Sequence, residues 1–222
     1  SFLAEKIEDW ENLIYKNGLS LAYLPSAGIV KLRISSAKGS DDAELIDSLF
    51  IQLEHLSPNH FFGYERDTVT QIIGQQLIDK KLTIGTVESC TAGMLASQIS
   101  SIPGASAYYE GALLTYSYKI KTSLANVPAD LILKEGAVSE PVAIQMAENG
   151  RDILGADICI STTGIAGPGG GTETKPVGMV WIAIATKDGT TTKKMQFSKH
   201  RERNIKMTVL SALNLLRLEL RK

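Results

Sequence analysis

Two kinds of apolar pattern alternate from about residue 66 onward, and this alternation constrains the fold more than any other feature of the chain. Between Val69 and Leu77 the apolar residues recur at helical spacing, and a short apolar run at 82–87 follows them. The alternation continues, with predicted helices at 93–102, from Ser139 and around 205–216, and predicted strands at 112–116, 157–162, 179–186 and 191–197. Helices that alternate with strands favour a three-layer α/β/α sandwich, and the Asp-Gly hairpin at 188–189 makes its sheet mixed.

The first 65 residues have a separate pattern, which predicts a small α+β domain. Apolar residues from Ile7 to Ile14 share one stripe of a helix over 4–16, and acidic residues lie opposite. Strands are predicted at 19–24 and 29–35 around the turn Pro25-Ser26-Ala27-Gly28, a second amphipathic helix from Asp41 and Asp42, and a third strand near Phe61. The order α-β-β-α-β describes a two-layer domain over 1–65, which leaves 66–222 for the larger domain.

The charge balance, the lengths of the apolar runs and the cysteine spacing exclude several classes of function. The chain has 23 Lys plus Arg against 24 Asp plus Glu and a net charge of -1, so no overall field attracts nucleic acid or an anionic membrane. The longest apolar runs, such as 180–185, are too short to cross a bilayer, and no leader-like segment precedes the fold. The two thiols, Cys90 and Cys159, lie far apart in sequence, which fits a reducing compartment. We therefore expect a cytoplasmic protein without nucleic-acid or membrane partners.

Metal and cofactor sites are hard to build from this sequence. Cys90 and Cys159 are isolated, no pair of histidines has the spacing of metal ligands, and the acidic residues are scattered. We expect neither a metal nor another cofactor. The chain begins abruptly at Ser1 without an initiator methionine, which indicates a fragment of a longer protein.

A first candidate for chemistry is the segment 86–93, Thr-Val-Glu-Ser-Cys-Thr-Ala-Gly, in which a strand runs into hydroxyl and small residues and then into a helix. A helix N-terminus at a strand end presents backbone N–H groups and a favourable dipole to an anion. The alternative is a Ser or Thr cap on an ordinary helix, although the carboxylate of Glu88 in the turn is unusual for that.

A second candidate is the segment 103–121, which combines hydroxyl residues with Lys119 and Lys121. A desolvated lysine can serve as the base for a serine, and burial or the neighbouring lysine would lower its pKa. Of the three histidines only His200 lies in the larger domain, and the Gly-x-Ser-x-Gly pattern is absent, so a Ser-His-Asp triad has little support. The alternative is a solvated loop followed by a helix with ordinary lysines.

A third candidate is the glycine-rich segment 161–178 that follows a buried strand. Its glycines permit close approach of the backbone to a ligand, but the patterns of a Walker A loop and of a dinucleotide-binding loop are absent. The alternative is a disordered surface loop.

A fourth candidate is the basic cluster at 197–206, which begins the last helix. Arginine matches phosphate with two parallel hydrogen bonds, so one phosphate can bind here. The alternative is a solvated charged turn.

Four motifs in order then make the chain recognisable: Glu-Ser-Cys-Thr-Ala-Gly at 88–93, Pro-Gly-Ala-Ser at 103–106, Gly-Ala-Val-Ser at 136–139, and the glycine-rich stretch 163–178. Over about 66–220 they resemble the CinA family C-terminal domain, a nicotinamide mononucleotide deamidase. The resemblance implies hydrolysis of the carboxamide of nicotinamide mononucleotide to nicotinate mononucleotide and ammonia, a step of pyridine nucleotide salvage. One small departure is Ala92, where many members carry glycine.

The resemblance also implies roles for individual residues. It makes Ser106 the nucleophile, Lys121 the general base and Tyr116 a partner that relays or orients protons, with Ser89 as the alternative nucleophile. The substrate-binding residues that it implies are Ser89 and Thr91, whose backbone donors hold the amide oxyanion or the phosphate, Thr163 and Gly164 as a far wall, and Arg201 as the phosphate anchor.

Two stretches of the first 65 residues, Ser-Phe-Leu-Ala-Glu-Lys-Ile-Glu-Asp-Trp-Glu at 1–11 and Leu-Ala-Tyr-Leu-Pro-Ser at 21–26, resemble the small middle domain of CinA. Full-length members place this domain between an N-terminal molybdopterin-binding-like domain and the deamidase. That middle domain is often described as KH-like, but residues 1–66 hold ten acids against six bases and no Gly-x-x-Gly pair. We interpret it as a spacer or dimerisation element, and we expect a homodimer. Two other functions stay open: a non-catalytic nucleotide-binding or competence-related interaction module, and a nucleic-acid binder acting through the small domain.

Overall fold

The computed structural model describes residues 2–26 and 28–222. The chain divides into two compact units, Ser1–Asp67 and Thr68–Lys222. In the part of the chain described, none of the helices has both the length and the apolar character that crossing a membrane requires.

The small unit packs three helices against one strand pair. Its elements are α1 (Phe2–Lys6), α2 (Glu8–Lys16), β1 (Ser20–Ser26), β2 (Ile29–Ser35), a 3₁₀ turn (Gly39–Asp42) and α3 (Ala43–Leu56). The single helix predicted over 4–16 is interrupted at Ile7, which is fully buried. Strands β1 and β2 are antiparallel, and the predicted turn between them includes Ala27, which lies outside the described residues. Trp10 anchors the core, and its indole N–H donates to the carbonyl of Leu49 at 2.7 Å.

The third strand predicted near Phe61 is not formed in the described part of this unit. The backbone N–H groups of His60 and Phe61 both donate to the carbonyl of Ser57, at 3.0 and 2.8 Å, so the chain turns instead of extending. The ring of Phe61 packs edge-on against that of Tyr64, with centroids 5.0 Å apart. Aromatic packing therefore holds this segment, and the sheet of the small unit has two strands.

The larger unit is a mixed five-stranded sheet with helices on both faces, as the sequence predicts. Its elements are α4 (Val69–Lys80), β3 (Ile84–Glu88), α5 (Met94–Ser100), a 3₁₀ turn (Ala105–Ala107), β4 (Tyr109–Leu114), α6 (Tyr118–Ala125), α7 (Ala129–Glu135), α8 (Glu140–Leu154), β5 (Ile158–Gly164), β6 (Met179–Thr186), β7 (Gly189–Gln196) and α9 (Arg201–Glu219). The strand order is β4-β3-β5-β6-β7. Strands β3, β4 and β5 are parallel, whereas β6 and β7 run antiparallel to their neighbours.

Alternating residues of the central strands point to opposite faces of the sheet. On one face Ser161 donates to the carbonyl of Ala143 on α8 at 2.6 Å, and Gly150 of α8 leaves room for the side chain of Val87. On the other face Glu88 meets the start of α5, and α5 packs with α4 and α9. Because β3, β4 and β5 are parallel, their carboxyl ends meet at one edge of the sheet, where ligands bind in open α/β folds.

Candidate active site

The candidate site lies at the carboxyl ends of β3, β4 and β5. Glu88 and Leu114 are register partners in β3 and β4, so the residues after them, Ser89 and Thr115, are neighbours. The N–H of Thr115 donates to the carbonyl of Glu88 at 2.8 Å, and the N–H of Ser89 donates to that of Thr162 at 3.0 Å. The edge of the sheet thus brings together segments that lie far apart in sequence.

Lys121 and Ser89 form a buried pair at this edge. The Lys121 ammonium donates to Ser89 Oγ at 2.9 Å, to the carbonyl of Thr115 at 2.7 Å and to the carbonyl of Tyr116 at 3.4 Å. Lys121 is 1% exposed, and it lies on α6, whose start is fixed because Ser117 Oγ accepts from the N–H of Ile120 at 3.2 Å. This cap fixes the start of α6 and so holds the Lys121 ammonium within hydrogen-bond distance of Ser89.

Burial lowers the pKa of Lys121 from 10.5 to about 8, because removal from water disfavours the charged form. A neutral amine has two N–H donors and one lone pair. Its three neighbours match that inventory, since the carbonyls of Thr115 and Tyr116 only accept, whereas the hydroxyl of Ser89 can also donate. On losing its proton, Lys121 can keep both carbonyl bonds and accept the Ser89 proton, which is the geometry of a general base.

Cys90 lies between Ser89 and Thr91 in the same turn, and its thiol is buried. Burial raises the pKa of its thiol to about 12, so the thiolate is not populated near neutral pH. The nucleophilic group within hydrogen-bond distance of Lys121 is the hydroxyl of Ser89.

The start of α5 is not open to an anion, contrary to the first candidate motif. The buried carboxylate of Glu88 accepts from the N–H groups of Gly93 at 2.9 Å, Leu95 at 3.1 Å and Ala96 at 2.7 Å. A side chain of the same chain thus fills the anion site that a helix N-terminus offers. The unusual acid in the turn has a structural role, which is to hold the segment after β3 against α5.

The donors that remain in this turn are the backbone N–H groups of Cys90 and Thr91. Over the described residues neither donates to an acceptor in another residue, whereas the N–H of Ser89 is already bound to Thr162. Ser89 therefore does not supply the backbone donor that the sequence assigns to it. The Thr91 hydroxyl also has a partner, Thr162 Oγ1 at 2.7 Å, which fixes the turn against β5.

Thr163 and Gly164, which the resemblance places in a far wall of the pocket, have structural contacts of their own. Thr163 Oγ1 donates to the carbonyl of Ala137 at 2.7 Å, on the face of the sheet opposite to Thr91, and the residue is 1% exposed. A Cβ added at Gly164 would lie 2.5 Å from the Val180 side chain, so this glycine is needed for close strand packing. The threonine that does face Thr91 is Thr162, which sequence reasoning missed and which the alternation of side chains along a strand would have identified.

Arg201 joins two of the predicted segments. Its guanidinium donates to the carbonyl of Gly167 in the glycine-rich loop at 3.0 Å and to the hydroxyl of Tyr116 at 3.3 Å. Nearby, the buried Asn204 donates to the carbonyls of Ala166 and Ser198 and so ties the loop to α9. Tyr116 reaches Lys121 through its carbonyl and Arg201 through its phenol, and no bond of the phenol to Ser89 or Lys121 is present in the described structure.

Ser106 lies apart from this cluster, and its predicted pairing with Lys121 is not formed. It is an exposed residue of the 3₁₀ turn Ala105–Ala107, which precedes β4, whereas Lys121 binds residues that follow β4. The six residues of β4 span about 20 Å at about 3.3 Å per residue. Ser106 therefore lies at the amino ends of the parallel strands, whereas Lys121 lies at their carboxyl ends. The signal that favours Ser89 is its position directly after a parallel strand.

In residues 2–26 and 28–222 no group of three or more His, Cys, Asp or Glu side chains is placed to hold a metal ion. The chemistry available at the site is that of a hydroxyl, a buried amine and backbone donors.

The fold and site define a mixed α/β domain with a buried lysine–serine pair at the carboxyl edge of its parallel strands. A family model described as the CinA C-terminal domain matches residues 66–220. The chain therefore belongs to the CinA family, and its relatives and structural neighbours are CinA-like and competence- or damage-inducible proteins.

Similar proteins extend the match to both units. A CinA-like protein of Cytophaga hutchinsonii is 45% identical over 223 residues, which is 99% of this chain and 53% of that protein. A CinA-like protein of Amoebophilus asiaticus is 35% identical and is matched over 98% of this chain and 53% of its own length. The chain thus spans about half the length of the curated relatives it matches.

Solved structures match the larger part of the chain. A CinA superfamily protein from Escherichia coli has a TM-score of 0.66 and 33% identity, over 71% of this chain and 94% of that one. A competence/damage inducible protein from Agrobacterium tumefaciens has a TM-score of 0.65 and 30% identity, over 72% of this chain and 100% of that one.

Proposed function

We propose that this protein is an amidohydrolase that converts nicotinamide mononucleotide to nicotinate mononucleotide and ammonia, with Ser89 as the nucleophile and Lys121 as the general base. The observation that carries the proposal is the buried 2.9 Å contact between Lys121 Nζ and Ser89 Oγ, together with the lowered pKa of the lysine. The substrate is inferred from the CinA family motifs at 88–93 and 163–178.

Acylation begins with neutral Lys121, which takes the proton of Ser89 Oγ while that oxygen forms a bond to the carboxamide carbon. The carbonyl electron pair moves to oxygen and gives a tetrahedral oxyanion. When the intermediate collapses, the carbon–nitrogen bond breaks, Lys121 returns the proton to the nitrogen, and ammonia leaves. The positive pyridinium ring of the substrate assists the first step because it makes the carboxamide carbon more electrophilic.

Deacylation repeats the same proton transfers with water. Lys121 takes a proton from the water that attacks the Ser89 ester, and it returns this proton to Ser89 Oγ as the carbon–oxygen ester bond breaks. The acid that forms gives its proton to the released ammonia, and the product leaves as the carboxylate of nicotinate mononucleotide. One base thus serves both half-reactions. This suits the site, because Lys121 is the one buried lysine among the described residues and it is hydrogen-bonded to Ser89.

The oxyanion of both intermediates requires donors that are already in position. The backbone N–H groups of Cys90 and Thr91 directly follow the nucleophile and have no acceptor in another residue of the described chain. Two such donors next to the nucleophile form an oxyanion hole, which commonly contributes about 10²- to 10³-fold per donor. The bond between Thr91 and Thr162 holds this turn in place.

Arg201 is the proposed anchor for the substrate phosphate. A guanidinium has five N–H groups. The two bonds of Arg201, to Gly167 and Tyr116, orient the group and leave further donors for an anion. In this assignment Tyr116 positions Arg201 rather than relaying protons to Lys121.

The test is ammonia release from nicotinamide mononucleotide by purified protein. Ser89→Ala should abolish release, whereas Ser106→Ala, a matched serine-to-alanine change at an exposed position, should retain the wild-type rate. No release by the wild-type protein would contradict the enzyme and favour a non-catalytic nucleotide-binding or competence-related module. Loss of release in Ser106→Ala with retention in Ser89→Ala would reverse the assignment of the nucleophile.

We also propose a cytoplasmic homodimer in which the small unit is a spacer or dimerisation element. The free and buried thiols Cys90 and Cys159 support the reducing compartment. Light scattering should give twice the chain mass of 24.0 kDa, and a mass of 24.0 kDa would contradict the dimer.

A further inference from the structure

Thr115, whose backbone carbonyl binds Lys121, has a side-chain hydroxyl without a hydrogen-bond partner among the described residues. Thr115 is fully buried, and its Oγ1 has no hydrogen-bond partner among the described residues. Both backbone groups of the same residue are used, since its N–H donates to Glu88 and its carbonyl accepts from Lys121 at 2.7 Å. The residue is therefore held firmly at the site while its hydroxyl has no partner.

An unpaired buried hydroxyl lowers stability, because it has lost its hydrogen bonds to water without replacement. Valine would fill the same volume without that cost. A ligand that enters the site and forms a hydrogen bond with the hydroxyl would offset this loss of stability. Thr115 follows β4 next to Ser89 and touches Lys121, so a substrate that reaches the nucleophile brings its own polar groups to this place.

The leaving nitrogen of a carboxamide must come within reach of Lys121 Nζ, since Lys121 returns a proton to it. A carboxamide nitrogen carries two N–H donors, and both need acceptors in a buried site. The carbonyls of Thr115 and Tyr116 are already bound by Lys121, and Ser89 Oγ is consumed in the new bond. Among the residues that bind Lys121, the side-chain hydroxyl left without a partner in the described structure is that of Thr115.

Resting on the proposed function, we propose that the Thr115 hydroxyl accepts a hydrogen bond from the carboxamide nitrogen of the substrate and holds the leaving group beside Lys121. Thr115 is then a substrate-binding residue that distinguishes an amide from an ester. It gives up no proton and forms no covalent bond in either half-reaction.

The test compares two substrates that differ at the leaving group, nicotinamide mononucleotide and the methyl ester of nicotinate mononucleotide. Thr115→Val should lower kcat/KM for the amide by about 3- to 10-fold, the value of one neutral hydrogen bond. The same variant should change kcat/KM for the ester by less than about twofold, because the ester oxygen has no N–H to donate and is only a weak acceptor for the Thr115 O–H. Thr115→Ser, which restores a hydroxyl, should recover the amide rate.

The outcomes separate this inference from the proposed function. Equal loss on amide and ester, or no loss on either, would overturn the role of Thr115 and leave the amidohydrolase intact. Absence of amide hydrolysis by the wild-type protein would overturn both.

Thermal unfolding gives a second readout without substrate. Thr115→Val should have a higher melting temperature than the wild type, because it removes an unpaired buried hydroxyl from the free protein. A lower melting temperature would show that the hydroxyl already has a partner within the protein, and it would overturn the inference.

Discussion

The dependence of turnover on pH follows directly from the burial of Lys121. Its pKa lies at about 8 instead of 10.5, so the neutral amine that acts as base makes up about a tenth of the protein at pH 7 and nearly all of it at pH 10. Over that range kcat/KM should rise about 10-fold and level off above about pH 9.

An exposed lysine of ordinary pKa would give a different profile. With a pKa of 10.5 the neutral fraction would grow by several hundred-fold between pH 7 and pH 10, without levelling. The range begins at pH 7 because the substrate phosphate titrates near pH 6 and would add a second change.

The assay is initial-rate release of ammonia at low substrate concentration, so that the rate reports kcat/KM of the free enzyme. Stability of the protein at each pH is checked by returning samples to pH 8 before measuring activity. A rate that is flat from pH 7 to pH 10, or one that climbs throughout the range, would refute the assignment of a buried lysine base.

Three further predictions concern the residues around the dyad. Between pH 8 and 10.5 the unfolded chain binds the Lys121 proton more strongly than the folded one, so wild-type stability should gain up to about 3 kcal/mol relative to Lys121→Met over this window, as measured by urea unfolding at several pH values. Glu88→Gln should lower the free energy of unfolding by about 2 kcal/mol, because the carboxylate accepts three backbone bonds, and an unchanged melting temperature would contradict this role. Arg201→Ala should mainly raise KM for nicotinamide mononucleotide, and an equal loss on the dephosphorylated nucleoside would contradict a phosphate anchor.

The regular parts of the larger unit follow from sequence patterns alone. The apolar run at Met179–Thr186 and its Asp-Gly turn predict β6 with its bounds, since a buried run and a hairpin signal agree there. Helices α6 and α7 are not predicted from the sequence pattern, because they have only 8 and 7 residues. Ser117 caps the first, and packing against α8 supports both, so their stability is not visible in a periodic pattern.

The residues of the site are partly predictable for a similar reason. Lys121 and Ser89 stand in motifs that the sequence marks, but motifs do not show which hydroxyl meets the lysine. That depends on the end of each strand: Ser89 follows β3, whereas Ser106 precedes β4. The role of Glu88 depends on α5 packing back over β3, so that its first N–H groups reach the carboxylate. The role of Thr115 depends on its hydroxyl having no hydrogen-bond partner among the described residues. Local sequence contains neither fact.

The most direct test of the central claim is to identify the acylated residue. Wild-type protein is mixed with nicotinamide mononucleotide, quenched in acid within the first turnovers, digested and mapped by mass spectrometry. The mechanism predicts a nicotinate mononucleotide ester on the peptide that contains Ser89, and no such adduct in Ser89→Ala. An adduct on the peptide that contains Ser106, or ammonia release by Ser89→Ala at the wild-type rate, would contradict the account.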